Sequence, residues 1–415
     1  MKLIDTFSHL LLYGGCALAG SFNILTFNVA GLPQALQGNG IPIDKDIATE
    51  HIGKAFKDLK DDLDVIHVQE DFHYNDILYK YDNHPYRSQT SGDVPIGSGL
   101  NTLSNFPFSI SIEINGIIEG AIVNFINLHS DAGTKDQDND ARNKNLQQVA
   151  NYIDQFLHDE AVIIFGDFNS RYYYPPDNIE VFRLQNGLKN PWVDLERNGI
   201  EPIKGQPVPK CSLPATNNSC EVVDKVFYRG SKTIELKAED FRYADDLFTY
   251  EGHQLSDHNP ILTNFSYTLS QDFKNSNYSG GFYGAYFNDL GQISKGVKTT
   301  RLSFKGNVGL DLVSLTLDDG TSFNHGGNGG LLKELELQQD EYWTKSYLCK
   351  REVDNELKNV YINGTTSLGS TIEAGSPTND CQYFEAPDGY QITGFFGQGD
   401  DSVNLLGFIY SKIES

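Results

Sequence analysis

The sequence lacks an apolar run of the roughly 18 residues that a membrane-spanning helix requires, and it lacks long low-complexity tracts. It is also poor in positive charge, because 32 Lys and Arg stand against 56 Asp and Glu and the net charge is −24. No basic cluster is present, which argues against a polyanionic partner, since such partners require clustered Lys and Arg. A bound divalent cation would reverse the sign locally. These absences predict a soluble, globular, acidic protein.

Cysteine is scarce as well, with 5 in 415 residues. The first lies in an N-terminal segment with Lys2, an apolar stretch over residues 10–18 and small residues at Ala17 and Ala19, a pattern typical of a cleaved secretion signal. We therefore expect residues 1–20 to be a signal peptide and the protein to be secreted. The other four cysteines fall two in each of the two domains expected below, and we predict disulfides between Cys211 and Cys220 and between Cys349 and Cys381. A cytosolic protein with four buried thiols is the alternative.

Length and composition predict two domains. The chain of 415 residues exceeds the size at which one hydrophobic core usually keeps growing, and its 39% hydrophobic and 12% aromatic residues supply enough core for both. The polar segment 269–277 separates two parts with different patterns. We expect a first domain at residues 21–268, a linker at 269–277 and a second domain at 278–415.

The first part mixes helical and strand-like patterns. Apolar residues at helical spacing predict a helix over residues 44–63, and a polar loop at 130–138 precedes a second helical stripe from Asp140. Short apolar, β-branched and aromatic segments predict strands at residues 23–27, 64–68, 121–128, 161–165, 222–228 and 261–267. Helices therefore interleave with strands that end in polar residues.

Acidic and amide side chains follow several of these strands directly. Asp167 and Asn169 come after the apolar run 161–165, and Glu70 comes after residues 65–68. A strand that ends in Asp-x-Asn delivers two oxygen ligands into one pocket, which suits a hard cation. Together with the Asp257-His258 pair, these strand ends predict metal-assisted phosphoester chemistry.

The order of the polar residues carries a family resemblance. Asn28, Glu70, His129, Asp167 with Asn169, Asp224 and Asp257-His258 follow one another along the chain. This series resembles the endonuclease/exonuclease/phosphatase superfamily, which includes pancreatic-type DNases and neutral sphingomyelinases, across about residues 22–268. The resemblance implies an α/β (α+β) four-layer sandwich, in which two packed β-sheets are flanked by helices and the polar strand ends meet at one rim.

The resemblance also implies ligands for a divalent cation, Mg²⁺ or another. Glu70 is the expected metal ligand, and Asn28 contacts the metal or its water. Asp257 is expected as a second metal ligand or as a partner of His258. Asp167 and Asn169 would flank the attacking water and a non-bridging phosphate oxygen.

Two histidines are expected to move protons. His258 would act as general base on the attacking water, with Asp224 holding its ring in the required tautomer. His129 would hydrogen-bond the phosphate and stabilise charge as the leaving oxygen departs. His67, inside a predicted strand, is expected to be structural.

The substrate class is predicted from sequence patterns that are less specific than those of the metal site. The segments 27–33, 68–72, 128–133 and 141–146 resemble the sphingomyelinase-like branch, and the acidic balance is compatible with a zwitterionic phosphocholine head group at a membrane surface. We therefore expect a secreted phosphodiesterase that acts on a phospholipid head group. Two alternatives stay open: a secreted DNase-like endonuclease acting on nucleic acid, and a lectin or toxin whose first domain is catalytically inactive.

The second part has many glycines and short β-rich segments, and it has no long amphipathic helix. The segment order, the Gly-Gly-x-Gly-Gly turn at residues 326–330 and the closing segments 392–397 and 406–410 resemble jacalin-like lectins. The resemblance implies an all-β β-prism with glycan contacts at Gly281, Asp400, Asp401 and Asn404. Asn404 stands where that family usually has an aspartate, so Asp400 or Asp401 would have to supply the charged acceptor. A packing or protein-contact module is the alternative.

Overall fold

The computed structural model describes residues 19–34, 40–89, 97–108, 114–118 and 121–414. Most of the expected signal peptide lies outside the described residues. Its last two positions, Ala19 and Gly20, belong to the first strand, where they pair with Thr268 and Tyr267. Among the described residues, no helix combines the length and apolar character that crossing a membrane would require.

The first part contains twelve strands and four α-helices within the described residues. They are β1 (Ala19–Asn28), α1 (Lys45–Asp58), β2 (Val65–Gln69), α2 (Asn75–Tyr81), β3 (Tyr86–Arg87), β4 (Asn101–Ser104), β5 (Ile114–Ile118), β6 (Ala121–His129), α3 (Asp136–Phe156), β7 (Ala161–Asp167), α4 (Val181–Leu184), β8 (Asp224–Arg229), β9 (Ile234–Tyr243), β10 (Thr249–Tyr250), β11 (His253–Gln254) and β12 (Ile261–Leu269).

Two sheets pack face to face in this part. One has the order β3-β4-β2-β1-β12-β9 and the other has the order β5-β6-β7-β8. Aromatic rings fill the space between them: Phe22 of β1 lies 6.2 Å from Phe125 of β6 and stacks on Phe265 of β12 at 5.6 Å, measured between ring centroids. The expected sandwich of two packed sheets is confirmed.

His67 lies within this inter-sheet core. Its ring stacks on Phe165 at 3.6 Å, and its Nδ1 lies 3.1 Å from the carbonyl oxygen of the same residue. The side chain is fully buried, and burial lowers the pKa of His67 to about 3, although the hydrogen bond to Phe165 acts in the opposite direction. The expectation of a structural histidine is confirmed.

Two helix boundaries differ from the sequence prediction. α1 ends at Asp58 instead of residue 63, and the acidic residues Asp58, Asp61 and Asp62 disfavour continuation because the helix dipole places negative charge at the C-terminus. α3 begins at Asp136 instead of Asp140. The Asp138 carboxylate accepts a hydrogen bond from the Lys135 backbone N–H at 3.0 Å and so satisfies a donor at the helix start.

The second part is built from strands β13 to β24. They are β13 (Phe273–Gly280), β14 (Ala285–Asn288), β15 (Thr299–Gly306), β16 (Leu310–Leu317), β17 (Ser322–Gly326), β18 (Leu331–Glu336), β19 (Trp343–Val353), β20 (Glu356–Thr366), β21 (Thr371–Gly375), β22 (Cys381–Glu385), β23 (Tyr390–Gly399) and β24 (Val403–Lys412).

These strands form three four-stranded sheets, in the orders β13-β24-β23-β14, β17-β16-β15-β18 and β21-β20-β19-β22. Trp343 is fully buried where the sheets meet, with its ring 5.9 Å from Phe304, 5.8 Å from Phe395 and 5.5 Å from Phe408. The all-β prism expected for this part is confirmed.

Strand pairing and disulfides refine the expected organisation. The segment 269–277 is largely strand, because β12 ends at Leu269 and β13 begins at Phe273, which pairs with Ser411. Phe273 and Asn275 are buried in this strand, which explains why a segment of polar composition forms part of a sheet.

Both predicted disulfides are present, Cys211–Cys220 and Cys349–Cys381. The second joins directly opposed residues of β19 and β22.

The two parts share a buried polar contact around Glu160, which follows α3. One carboxylate oxygen accepts hydrogen bonds from the Tyr286 hydroxyl at 2.6 Å and from Asn288 Nδ2 at 2.9 Å, and the other accepts from Asn124 Nδ2 at 3.2 Å. Burial raises the pKa of Glu160, whereas these donors act to lower it. A carboxylate of the first part therefore anchors strand β14 of the second.

Candidate active site

Strand register places three of the expected residues side by side at one sheet edge. β6 and β7 run parallel, and their last residues His129 and Asp167 are partners. β8 runs antiparallel to β7, so its first residue, Asp224, is the partner of Asp167. In the other sheet, Asn28 at the end of β1 pairs with Gln69 at the end of β2. The polar strand ends therefore meet at one rim.

One group of side chains at this rim contains Glu70, His129 and Asp167, whose nearest ligand atoms all lie within 4.8 Å of one another. His129 Nε2 is 3.9 Å from Glu70 Oε1 and 3.7 Å from Asp167 Oδ2. The arrangement combines two carboxylates and an imidazole. Such a donor set can hold a divalent cation.

Asn28 lies between the two carboxylates of this group. Its Nδ2 donates to Glu70 Oε1 at 2.9 Å and to Asp167 Oδ2 at 3.1 Å, while its Oδ1 accepts from the Ala30 backbone N–H at 3.0 Å. The amide oxygen has a second lone pair, so contact of Asn28 with the metal or its water stays a prediction. In the structure, Asn28 fixes the positions of the two carboxylates.

A second group contains Asp167, Asp224 and His258. His258 Nδ1 lies 2.9 Å from Asp224 Oδ2, and His258 Nε2 lies 3.8 Å from Asp167 Oδ2. When the ring is neutral and Nδ1–H donates to Asp224, the lone pair resides on Nε2 and faces the site. Asp167 Oδ2 belongs to both groups and joins them into one site.

The loop that carries His258 is tied to the end of β1. The hydroxyl of Ser256 donates to the Asn28 carbonyl oxygen at 2.6 Å and accepts from the His258 backbone N–H at 3.3 Å. One serine therefore sets the distance between the histidine and the residue that positions both carboxylates. The sequence places these residues far apart, and only the fold brings them together.

Carboxylates dominate the electrostatics around His258. Burial opposes its protonation and is the largest single influence, but Asp224, Asp167 and Asp257 together outweigh it and raise the pKa of His258 to about 10. Positive charge placed beside Asp167 would lower that pKa toward the range that suits a general base.

Two residues of the site adopt a backbone conformation that is unusual outside glycine. Glu70 has φ of 55° and Asn169 has φ of 46°. The Glu70 carbonyl accepts from the backbone N–H groups of Gly31 and Phe72, at 2.9 Å each, which holds this conformation in place. A strained carboxylate residue at a strand end is typical of a functional position.

Asn169 is held by the end of its own strand, β7, and by the loop that follows β6. Its backbone N–H donates to Asp167 Oδ1 at 2.8 Å, and its Nδ2 donates to the Ser130 carbonyl at 3.0 Å. Asn169 therefore sits beside Asp167, as expected. Asp257, in contrast, is exposed and belongs to neither ligand group of the described residues.

Lys45 is a site residue for which the sequence offered no motif. It is the first residue of α1 and is only 3% exposed, and its Nζ has no hydrogen-bond partner within the part of the chain that the structure describes. Burial lowers the pKa of Lys45, whereas Asp257 and Glu70 act in the opposite direction. A buried cation next to the metal-ligand candidate is thus available to an anion.

Two of the four expected glycan-contact residues are in contact, because Gly281 N–H donates to the Asn404 carbonyl oxygen at 3.2 Å. Asn404 is buried, with Nδ2 donating to Tyr283 O and Oδ1 accepting from the Ser402 hydroxyl, at 2.9 Å each. Both polar groups of its amide therefore have internal partners, and its contact with a sugar stays a prediction. Asp400 uses Oδ1 to accept from Ala285 N–H at 3.0 Å, and Asp401 is exposed.

Comparison with known proteins identifies both parts of the chain. Residues 37–199 match the model of Endonuclease/Exonuclease/phosphatase family 2, and residues 276–409 match that of the jacalin-like lectin domain. The chain joins an endonuclease/exonuclease/phosphatase-family domain to a jacalin-like lectin domain. Both resemblances drawn from the sequence are confirmed.

One curated relative and two solved structures illustrate the similarity. A sphingomyelinase from Mycobacterium bovis is 33% identical over 280 residues, which cover 60% of this chain and 54% of the relative. This chain therefore spans about half the length of the curated relative. Beta toxin from Staphylococcus aureus, in a crystal structure with bound magnesium ions, covers 61% of this chain and 100% of its own, at 16% identity and a TM-score of 0.40. A mannose-binding jacalin-related lectin from Ananas comosus covers 34% and 98%, at 16% identity and a TM-score of 0.30.

Proposed function

We propose that this protein is a secreted, divalent-cation-dependent phosphodiesterase that hydrolyses a phospholipid head group, with sphingomyelin as the first candidate substrate. The observation that carries the proposal is the shared Asp167 oxygen, which joins a Glu70-His129 group to an Asp224-His258 pair. The similarity to sphingomyelinase over 280 residues supports the lipid substrate. The two disulfides support secretion, because such bonds persist in oxidising compartments.

The residues present fit a divalent cation such as Mg²⁺. Glu70 and Asp167 offer carboxylate oxygens on one side of the site, and the 20% exposure of the Glu70 side chain leaves room for water ligands. Asp257 would not coordinate the cation directly; its negative charge would attract the cation from a greater distance. When bound, the cation would stabilise negative charge on a phosphate oxygen and help to orient the phosphate. Lys45 adds a further positive charge on the Glu70 side.

The two histidines take opposite roles at the phosphorus atom. His258, held by Asp224, accepts a proton from the attacking water at Nε2. The water's oxygen forms a bond to phosphorus as the bond to the leaving oxygen breaks. His129, on the other side of Asp167, hydrogen-bonds the leaving oxygen and stabilises its charge. Asn169 and Asn28 keep Asp167 and Glu70 in place through their hydrogen bonds.

The second domain is proposed to bind glycans and so to concentrate the enzyme at glycosylated membranes. Its match to the jacalin-like lectin domain supports this role. Because Asn404 is engaged internally, we assign the contacts with sugar hydroxyls to Asp401 and to the second carboxylate oxygen of Asp400.

A substrate comparison tests the proposal. Purified protein is incubated with sphingomyelin vesicles and, in parallel, with plasmid DNA, each with Mg²⁺ and with a chelator. We expect chelator-sensitive release of phosphocholine and an intact plasmid. Nicked plasmid without lipid turnover would replace the lipid substrate by nucleic acid, and no turnover of either would favour a catalytically inactive first domain.

A further inference from the structure

A cavity of about 280 Å³ opens between β6 and α3, next to the catalytic rim. Ile126 and Leu128 of β6 form its floor, and Val149 and Tyr152 of α3 form its opposite wall. His129 closes one end. The cavity and the candidate catalytic site therefore share a residue, and a molecule bound at Asp167 can extend past His129 into the cavity.

The lining has the chemistry of an apolar site. Its polar members besides His129 are the uncharged Asn145 and Gln148, and within the described residues no Lys, Arg, Asp or Glu contributes to it. A nucleotide would bring a phosphate or a base, which requires charged or hydrogen-bonding partners. A hydrocarbon chain requires no such partners, and its transfer from water into an apolar cavity is favourable.

Aromatic side chains continue beyond the cavity along α3, on a surface that also carries Lys144, Asn151 and Gln155. Tyr152 packs against Phe156 with ring centroids 4.8 Å apart, and Phe156 lies 6.3 Å from Tyr286 of the lectin domain. A row of aromatic rings therefore leads from the cavity to the contact between the two domains.

We infer that this cavity binds the hydrocarbon part of the alcohol that leaves when the phosphodiester is cleaved. The inference rests on the proposed function, because it takes His129 as the residue beside the leaving oxygen. It adds a binding site for a part of the proposed substrate that the catalytic residues do not contact: the hydrocarbon chain of the alcohol on the leaving side. The phosphocholine head group would then lie on the opposite, open side of the rim.

Blocking the cavity tests the inference. Val149→Trp places a large ring in the cavity, and Asp140→Trp places the same ring at an exposed position of α3 outside it. Gln148→Trp serves as a second blocking variant if Val149→Trp does not fold, as judged by circular dichroism and thermal unfolding. Two readouts are taken: binding of dodecylphosphocholine below its micelle concentration, and hydrolysis of sphingomyelin relative to p-nitrophenylphosphorylcholine.

Binding is measured by calorimetry in the His258→Ala background with Mg²⁺, so that turnover does not interfere. We expect the blocking variant to weaken dodecylphosphocholine binding about ten-fold and to lower the preference for sphingomyelin by a similar factor, as a lost apolar contact in a pocket does. Asp140→Trp should change neither the affinity for dodecylphosphocholine nor the preference for sphingomyelin. Dodecylphosphocholine binding unchanged by both blocking variants would overturn the inference. Absence of all hydrolysis in the unmodified protein would instead refute the proposed function, and the binding readout would still decide the cavity.

Discussion

His258 Nδ1 lies 2.9 Å from Asp224 Oδ2, although 34 residues separate the two in sequence. Asp224 begins strand β8, and its partner in the neighbouring strand is Asp167, which lies 3.8 Å from the other ring nitrogen. One imidazole is therefore held between two carboxylates that a single sheet places side by side. This geometry fixes which nitrogen faces the site.

Asp224→Asn tests the orienting role of that carboxylate. The amide is isosteric but neutral, so it neither favours the required tautomer nor stabilises the imidazolium that forms during attack. We expect kcat to fall on the order of 10²-fold or more with the fold intact, and the pH dependence of kcat to change shape. Steady-state kinetics across pH, with thermal unfolding as the folding control, provide the check. A pH profile superimposable on that of the unmodified protein would assign Asp224 a purely structural role.

Glu70→Gln tests the cation site. Removing one carboxylate charge should raise the Mg²⁺ concentration required for half-maximal activity by about 10- to 100-fold. Asp76→Asn, which removes a charge at an exposed position of α2 outside both ligand groups, is the matched control. The measurement is activity as a function of free Mg²⁺. Equal Mg²⁺ dependence of the two variants would remove Glu70 from the site.

The buried, neutral His67 should make the free energy of unfolding depend on pH in the acidic range. Burial lowers its pKa to about 3, whereas the unfolded chain titrates near 6.5, so the unfolded state binds the extra proton between these values. Stability from the neutral ring is therefore lost as pH falls below 6.5, at up to about 1.4 kcal/mol per pH unit. His67→Phe, which keeps a ring beside Phe165, should show a shallower decline.

Urea unfolding of both proteins at pH 6.5, 5.5 and 4.5 measures the difference. The other titrating groups are common to the two proteins and cancel in the comparison. Parallel declines in the free energy of unfolding would show that His67 does not carry this dependence.

The hydrogen bonds that Glu160 accepts from both domains should contribute to the stability of the protein. Glu160→Ala removes one acceptor from each of three donors, the Tyr286 hydroxyl and the Asn288 and Asn124 amides, which should cost about 2–3 kcal/mol of stability. The two amides keep weaker bonds, from Asn124 to the Ala161 carbonyl and from Asn288 to the Tyr286 hydroxyl. Glu160→Gln keeps an acceptor oxygen and should cost less. Chemical unfolding of the two variants provides the measurement, and equal losses would mean that packing, not the hydrogen bonds, determines the effect.

The sequence predicted the parts of the fold that local patterns encode. Alternating apolar runs located most strands, and polar residues at strand ends located Glu70, His129 and Asp167, which the structure brings together. Local patterns could not show that the Asn28 oxygen accepts a hydrogen bond from Ala30 N–H, because that depends on a turn. Nor could they show that Asn404 is buried against Tyr283 and Ser402.

Long-range contacts explain the remaining differences. Lys45, the first residue of α1, interacts electrostatically with Asp257 and Glu70, and no motif marks that position. The polar segment 269–277 becomes strand because its partner, β24, lies at the far end of the chain. Both features depend on neighbours that local periodicity does not reveal.

The most direct test of the account is phosphocholine release from sphingomyelin vesicles by the unmodified protein and by His258→Ala, before and after chelation and re-addition of Mg²⁺. The account predicts that chelation abolishes release, that Mg²⁺ restores it, and that His258→Ala lowers the rate on the order of 10²- to 10⁴-fold while the fold is retained. Release that survives chelation, or equal rates for the two proteins, would contradict it.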